Sequence, residues 1–267
     1  MSVDTPQAQQ RWQTRRVPPL GGFNLTFLGL EVRRLLRNRR TVIFALVMPV
    51  LFFFLFHRSR RIDISAAVGS GNETASVMIG LAVYGAMIAA TAGGAMVSTE
   101  RAQGWSRQLR LTPLRPFAYV VIKLLTGAVL GLMSVTVVYV AGALTGAHMP
   151  VGAWVLSGLV AWAGALLFAA FGLFMGYLFP SENVMQILGP ILAGLAFLGG
   201  LFVPLTLLGS TVGDIAPYTP AYGVGSIARA PLTGAGLEWT AVLNVVVWTA
   251  LFVFGASALF RRDTRRV

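Results

Sequence analysis

Six long apolar segments, at Thr41–Phe56, Ala75–Val97, Phe117–Thr145, Ala153–Phe179, Ile187–Leu205 and Trp239–Phe260, constrain this chain more than any other feature. A helix needs about 20 consecutive apolar residues to cross the hydrocarbon of a bilayer, whereas a barrel would show repeated short alternating strands. The segments are continuous runs, so they read as spanning helices and the fold class as an all-α membrane protein with six transmembrane helices. With 56% of residues hydrophobic and 11% charged, too few polar side chains remain to coat a soluble globule of 267 residues. The first segment carries the weakest signal, because it is short and contains Pro49.

Charge sets the expected orientation. The formal charge of +12 comes from 20 Arg and one Lys against nine acids. In a soluble chain this balance would suggest a nucleic-acid partner. Here the arginines flank apolar runs, which makes them topology determinants and lipid-headgroup contacts and leaves no nucleic-acid partner expected. If both termini face the cytosol, that side holds 16 arginines and the outside four, namely Arg58, Arg60, Arg61 and Arg229. Omitting the first span would move the four arginines of Ser98–Pro116 outside. The reading is therefore N-in and C-in, with Arg58–Arg61 a local exception to the positive-inside rule.

Around the spans, residues 1–23 are polar, contain Pro18-Pro19 and lack the apolar core of a signal peptide, so they read as a cytosolic tail. Over 24–40, Leu25, Leu28, Val32, Leu35 and Leu36 recur at helical spacing among Arg33, Arg34, Arg37 and Arg40, as in an amphipathic interfacial helix on the inner leaflet. Within the membrane unit at 41–260, segment 206–238 is broken by Pro217, Pro220 and Pro231 but is too apolar for an ordinary loop. Short helices dipping into the outer leaflet fit it. Residues 261–267 form a second cytosolic tail. The pairs Gly127/Gly131, Gly142/Gly146 and Gly172/Gly176 permit close helix approach, and packing inside one subunit explains them best.

Several chemistries find no residues to carry them. The chain has no cysteine, and two histidines, His57 and His148, are too few for a histidine metal cluster. Lys123, the sole lysine, sits in V-I-K-L-L rather than in a phosphate-binding loop, so no cofactor is assigned and no ATP site of its own is expected. The interior of the spans offers no convincing acid, base or cation, which argues against proton-coupled transport. Glu182, just after Pro180, reads as a favourable charge at a helix N-terminus. A membrane-embedded lipid-modifying enzyme would have to draw on Asp214, Arg229 and Glu238 at the outer side. A scaffold with no transport cycle is the other reading outside transport.

The stretch from Ser98 to Lys123 is the informative one. Gly104 relaxes the chain as it leaves the second span, and Thr112-Pro113 ends a helix because proline disfavours α geometry in the residue before it. Between them Trp105, Leu109 and Leu111 lie among Arg101, Arg107 and Arg110, a pattern suited to docking in a groove of a soluble partner. Here the sequence resembles the permease subunits of type-2 ABC exporters, whose E-R-x-x-G segment, short helix, Thr-Pro turn and early basic residue match Glu100, Arg101, Gly104, Leu109, Thr112, Pro113 and Lys123. The amphipathic N-terminal helix, the six spans and Pro220-Ala221-Tyr222 before the last span extend the resemblance from about Asn24 to Phe260. Trp105, where many relatives carry a smaller residue, and the Arg58–Arg61 cluster depart from it.

The resemblance implies a transport subunit without its own ATPase site. It would pair with a second permease copy or paralogue and with two copies of a separate ABC ATPase subunit. Glu100, Arg101, Gly104, Trp105, Leu109, Thr112 and Pro113 would form the ATPase-coupling element, in the cytosolic loop 98–116. Family breadth allows drugs, antibiotics, lipids, glycans or peptides as cargo. The scarcity of polar groups in the spans favours a lipophilic small molecule or natural product, with no residue assigned to substrate. The arginine bias hints at a GC-rich genome and hence a bacterial cytoplasmic membrane.

Overall fold

The computed structural model describes residues 23–57, 66–104 and 116–265. Among these, six helices are long and apolar enough to cross a membrane. Helix α1 (Leu25–Arg37) starts where the Asn24 side chain accepts the Thr26 N–H at 2.7 Å. It stops at Asn38 rather than running on to Arg40. The Asn38 N–H donates back to the Leu35 carbonyl, while its side chain accepts from the Arg40 N–H and so starts the next helix. One asparagine thereby makes the corner between α1 and the first span.

That first span, α2 (Arg39–His57), contains a π-helical turn at Ile43–Val47 just before Pro49. Proline has no N–H to give the carbonyl of residue 45, four positions back. Ser134 supplies the donor instead, its hydroxyl bonding the Ala45 carbonyl at 2.7 Å in a buried setting. Gly85 leaves room for this contact, because a Cβ there would stand 2.2 Å from the Ser134 hydroxyl and 2.9 Å from the Pro49 ring. The proline that weakens the span in the sequence is accommodated by a specific neighbour.

A two-stranded hairpin, β1 (Ala67–Val68) and β2 (Gly71–Asn72), leads into the central helix α3 (Glu73–Ala102), about 45 Å long at 1.5 Å per residue. Asn72 caps α3 through the Ala75 N–H and ties the hairpin to the Gly146 carbonyl and the His148 N–H. Next come α4 (Pro116–Leu144), α5 (Val151–Leu178) and α6 (Ser181–Leu198). Two shorter helices, α7 (Ser210–Ile215) and α8 (Pro220–Thr233), fall in the proline-broken segment, and α9 (Trp239–Arg265) closes the chain.

Helix α3 is the most buried and packs against both α4 and α5. Small residues bring it there: a Cβ on Gly93 would meet Gly127 of α4 at 3.2 Å, and one on Gly94 would meet the Ala169 carbonyl of α5 at 2.4 Å. Gly127, Gly131, Gly142, Gly172 and Gly176 all face neighbours of the same subunit, while Gly146 faces open space. On the periphery, Leu55, Leu243 and Phe254 of α2 and α9 are exposed, as an apolar belt toward lipid requires.

Three spans differ most from the boundaries read by hydropathy, and α9 is one of them, running five residues past Phe260 to Arg265 into the stretch read as a tail. Helix α3 continues five residues past Val97, to Ala102, because the side chains of Ser98, Glu100 and Arg101 find partners inside the fold. Helix α6 begins six residues before Ile187 and ends at Leu198 rather than Leu205, where Gly199 and Gly200 follow and Gly200 takes a left-handed φ of 67°.

Candidate functional site

Glu100, near the C-terminal end of α3, is buried, and its carboxylate is shared among three helices. Lys123 of α4 donates to Glu100 Oε1 at 2.5 Å and to Glu31 Oε2 of α1 at 2.6 Å. Arg34, one turn beyond Glu31, reaches Glu100 Oε1 at 2.9 Å, and the Tyr119 hydroxyl donates to Glu100 Oε2. Only Arg34 of the charged members reaches solvent appreciably, its side chain being 41% exposed against 1% for Lys123. Two carboxylates and two cations give zero net charge, and shared hydrogen bonds satisfy the buried groups that burial would otherwise penalise.

This arrangement corrects the expectation that the spans hold no acid, base or cation of their own. Lys123 lies seven residues into α4 and is almost wholly enclosed. Helix α1 is also more than a surface helix. It buries Glu31 and Leu35, one turn apart, and packs along α4. Glu31, Arg34 and Tyr119 were missed as site residues, although two signals pointed to them. A lone lysine within an apolar run needs a carboxylate, and Glu31 is the sole acid in 24–40 and shares a helix face with Leu35.

Arg101 points elsewhere. Its guanidinium donates to the carbonyls of Gly176 and Tyr177 at 3.2 Å each and lies 5.4 Å from the centre of the Tyr177 ring. A cation thus satisfies carbonyls left unpaired at the end of α5. Successive residues on one helix therefore bind different neighbours, Glu100 holding α1 and α4 and Arg101 holding α5. Gly104 ends the segment with a left-handed φ of 70°, no atom within 4 Å of a Cβ placed on it, and its N–H bonded to the Arg101 carbonyl. Trp105, Leu109, Thr112 and Pro113 lie outside the described residues, as do Arg58–Arg61.

Among the described residues no group of three or more His, Cys, Asp or Glu is placed to hold a metal ion. Of the three residues a lipid-modifying enzyme would need, Arg229 and Glu238 line one cavity together with Glu73, whereas Asp214 is exposed and does not join them. Glu182 occupies the first turn of α6, as read.

Comparison with known proteins bears on what the charge cluster serves. Residues 26–230 match the ABC-2 type transporter family. The chain is 29% identical over 235 residues to a Bacillus subtilis (strain 168) protein named as a transport permease, YvfS, and the match covers 87% of this chain and 95% of that protein.

Proposed function

Since the chain belongs to the ABC-2 type transporter family, and is thus a multi-pass permease of the bacterial cytoplasmic membrane, we propose that it is the membrane half of an ATP-driven exporter. ATP is bound and hydrolysed on separate chains. Two ATPase copies and a second permease, identical or paralogous, complete the complex. The cargo is a lipophilic small molecule, moved outward by alternation between two packings of the permease pair that bind it differently.

The observation that carries this reading is the buried cluster at the root of loop 98–116. Lys123 and Glu100 join α1, α3 and α4, and Arg101 joins α3 to the end of α5. A push on the loop from a closing ATPase dimer is delivered to four helices together, rather than absorbed by bending of one. Trp105 and Leu109 are the apolar anchors in the ATPase groove, Thr112-Pro113 ends the docking helix, and Gly104 gives the sharp exit from α3. Truncating a buried anchor at an interface commonly costs about 2 kcal/mol or more. Trp105→Ala and Leu109→Ala are expected to lower co-purified ATPase about thirtyfold, or to leave ATP hydrolysis running without transport. Normal assembly, hydrolysis and transport in both variants would remove the loop from the coupling path.

Orientation is tested separately. With both termini inside, a cysteine replacing Gly236, which has open space around it, labels in intact cells with an impermeant maleimide. A cysteine at the exposed Gln103 labels only after permeabilisation. The reverse pattern would invert the map.

A further inference from the structure

At the end of the bundle opposite Glu100, a cavity of about 370 Å³ opens between α3, α8 and the turn that follows α6. Its polar lining includes Glu73, Ser76, Tyr222, Ser226, Arg229 and Glu238, and most of the remaining lining is apolar, with Leu201, Phe202 and Leu205 prominent. The Arg229 guanidinium is held from behind, its Nη2 donating to the Gly200 carbonyl at 2.8 Å and the Leu201 carbonyl at 3.4 Å. Gly80 makes room for this, since a Cβ there would stand 2.6 Å from Nη2.

Two buried polar atoms of this cavity have no hydrogen-bond partner among the described residues: the Nε of Arg229 and Oε1 of Glu73. The two side chains attract one another across the space, yet no ion pair closes between them. Burial pulls the Arg229 guanidinium down to about 10, with Glu73 opposing the shift, so it remains a cation at neutral pH. A donor with positive charge and an acceptor with negative charge, both desolvated and left unpaired, are costly unless something bridges them.

We infer that this cavity binds a zwitterionic headgroup, with an anionic phosphate or carboxylate on Arg229, a primary ammonium on Glu73, and an apolar tail passing along Leu201, Phe202 and Leu205. A simple anion would leave Glu73 unanswered, and a simple cation would leave Arg229 unanswered. Glu238, which accepts a long 3.5 Å contact from Ser226, provides a second carboxylate for the ammonium. The inference does not depend on the direction of transport or on the coupling loop, because it concerns the other end of the bundle.

The test uses the full-length chain, purified and delipidated in detergent, with binding measured by native mass spectrometry and by titration. Phosphatidylethanolamine is compared with phosphatidylcholine, whose quaternary amine cannot donate, and with phosphatidylglycerol, which has no amine. Phosphatidylethanolamine should bind about tenfold more tightly than either, as a charge-assisted hydrogen bond implies. Glu73→Gln should abolish that preference without weakening phosphatidylglycerol binding, since it removes a negative charge beside the anion site. This substitution is mild, since Glu73 Oε1 makes no bond to lose, and Glu238→Gln offers a second reading of the same preference should the first variant fold poorly. Water-soluble glycerophosphoethanolamine separates the sources: binding as tight as the lipid's assigns a soluble zwitterion, and weaker binding assigns a membrane lipid. Equal affinity for the three lipids, or a preference for phosphatidylethanolamine that survives in both variants, would overturn the inference.

Discussion

Lys123→Met is expected to be among the most damaging single substitutions in the chain, costing about 3–5 kcal/mol, because it strips the shared cation from two buried carboxylates. Glu31 and Glu100 each lie within 2.6 Å of the lysine nitrogen. After its removal they face each other inside the fold, with only the half-exposed Arg34 left to answer both. Thermal unfolding in detergent and recovery of monodisperse protein measure the loss. The companion variant Lys123→Met with Glu31→Gln and Glu100→Gln should recover most of the stability, since an uncharged set of similar volume carries no unpaired charge. Transport should not recover with it, if the cluster couples α1, α3 and α4 in the cycle. A Lys123→Met protein as stable and as active as the parent would mean that the cluster neither holds these helices nor transmits between them.

The spans were legible because hydropathy over about 20 residues is a strong signal, and all six runs became helices of spanning length. Their ends were less so. Helix α3 runs past its apolar portion because Ser98 bonds the Ala95 carbonyl while Glu100 and Arg101 find partners on other helices, and no window average registers tertiary pairing. Helix α6 stops early because Gly199 and Gly200 permit a turn that Leu201, Phe202 and Val203 conceal in a hydropathy scan.

The site divides in the same way. Glu100, Arg101 and Lys123 stood out through the motif they belong to, but Glu31, Arg34, Tyr119 and the carbonyls at the end of α5 did not. Glu31 lies 92 positions from Lys123 along the chain, and only the docking of α1 on α4 joins them. The cavity was legible only in part: Arg229 and Glu238 were named, with Asp214, as the residues a lipid-modifying enzyme would have to draw on. Glu73 was overlooked because it sits immediately before an apolar run and reads there as a helix-start residue.

Helix α3 can reach both charge clusters only because it lies deep between α4 and α5, and that depth rests on glycine. Gly172 of α5 faces the backbone of α3, where an added Cβ would stand 2.3 Å from the Thr91 carbonyl oxygen and 2.9 Å from the Thr91 Cα. Nothing at that contact is a flexible side-chain tip, so the helices themselves must separate. Separation would also loosen the Thr91 hydroxyl from the Phe168 carbonyl, which it now meets at 3.2 Å in a buried position. Overpacking of this kind costs about 3 kcal/mol, and in lipid, where helices associate through van der Waals contact and hydrogen bonds, little else compensates. Gly172→Val should therefore lower the unfolding temperature sharply and reduce the folded yield. Gly152→Ala on the same helix, with no atom within 4 Å of the new methyl, should change neither. Equal stability of the two variants would show that α3 and α5 are not in backbone contact, and the placement of Glu100 and Arg101 against their partners would lose its foundation.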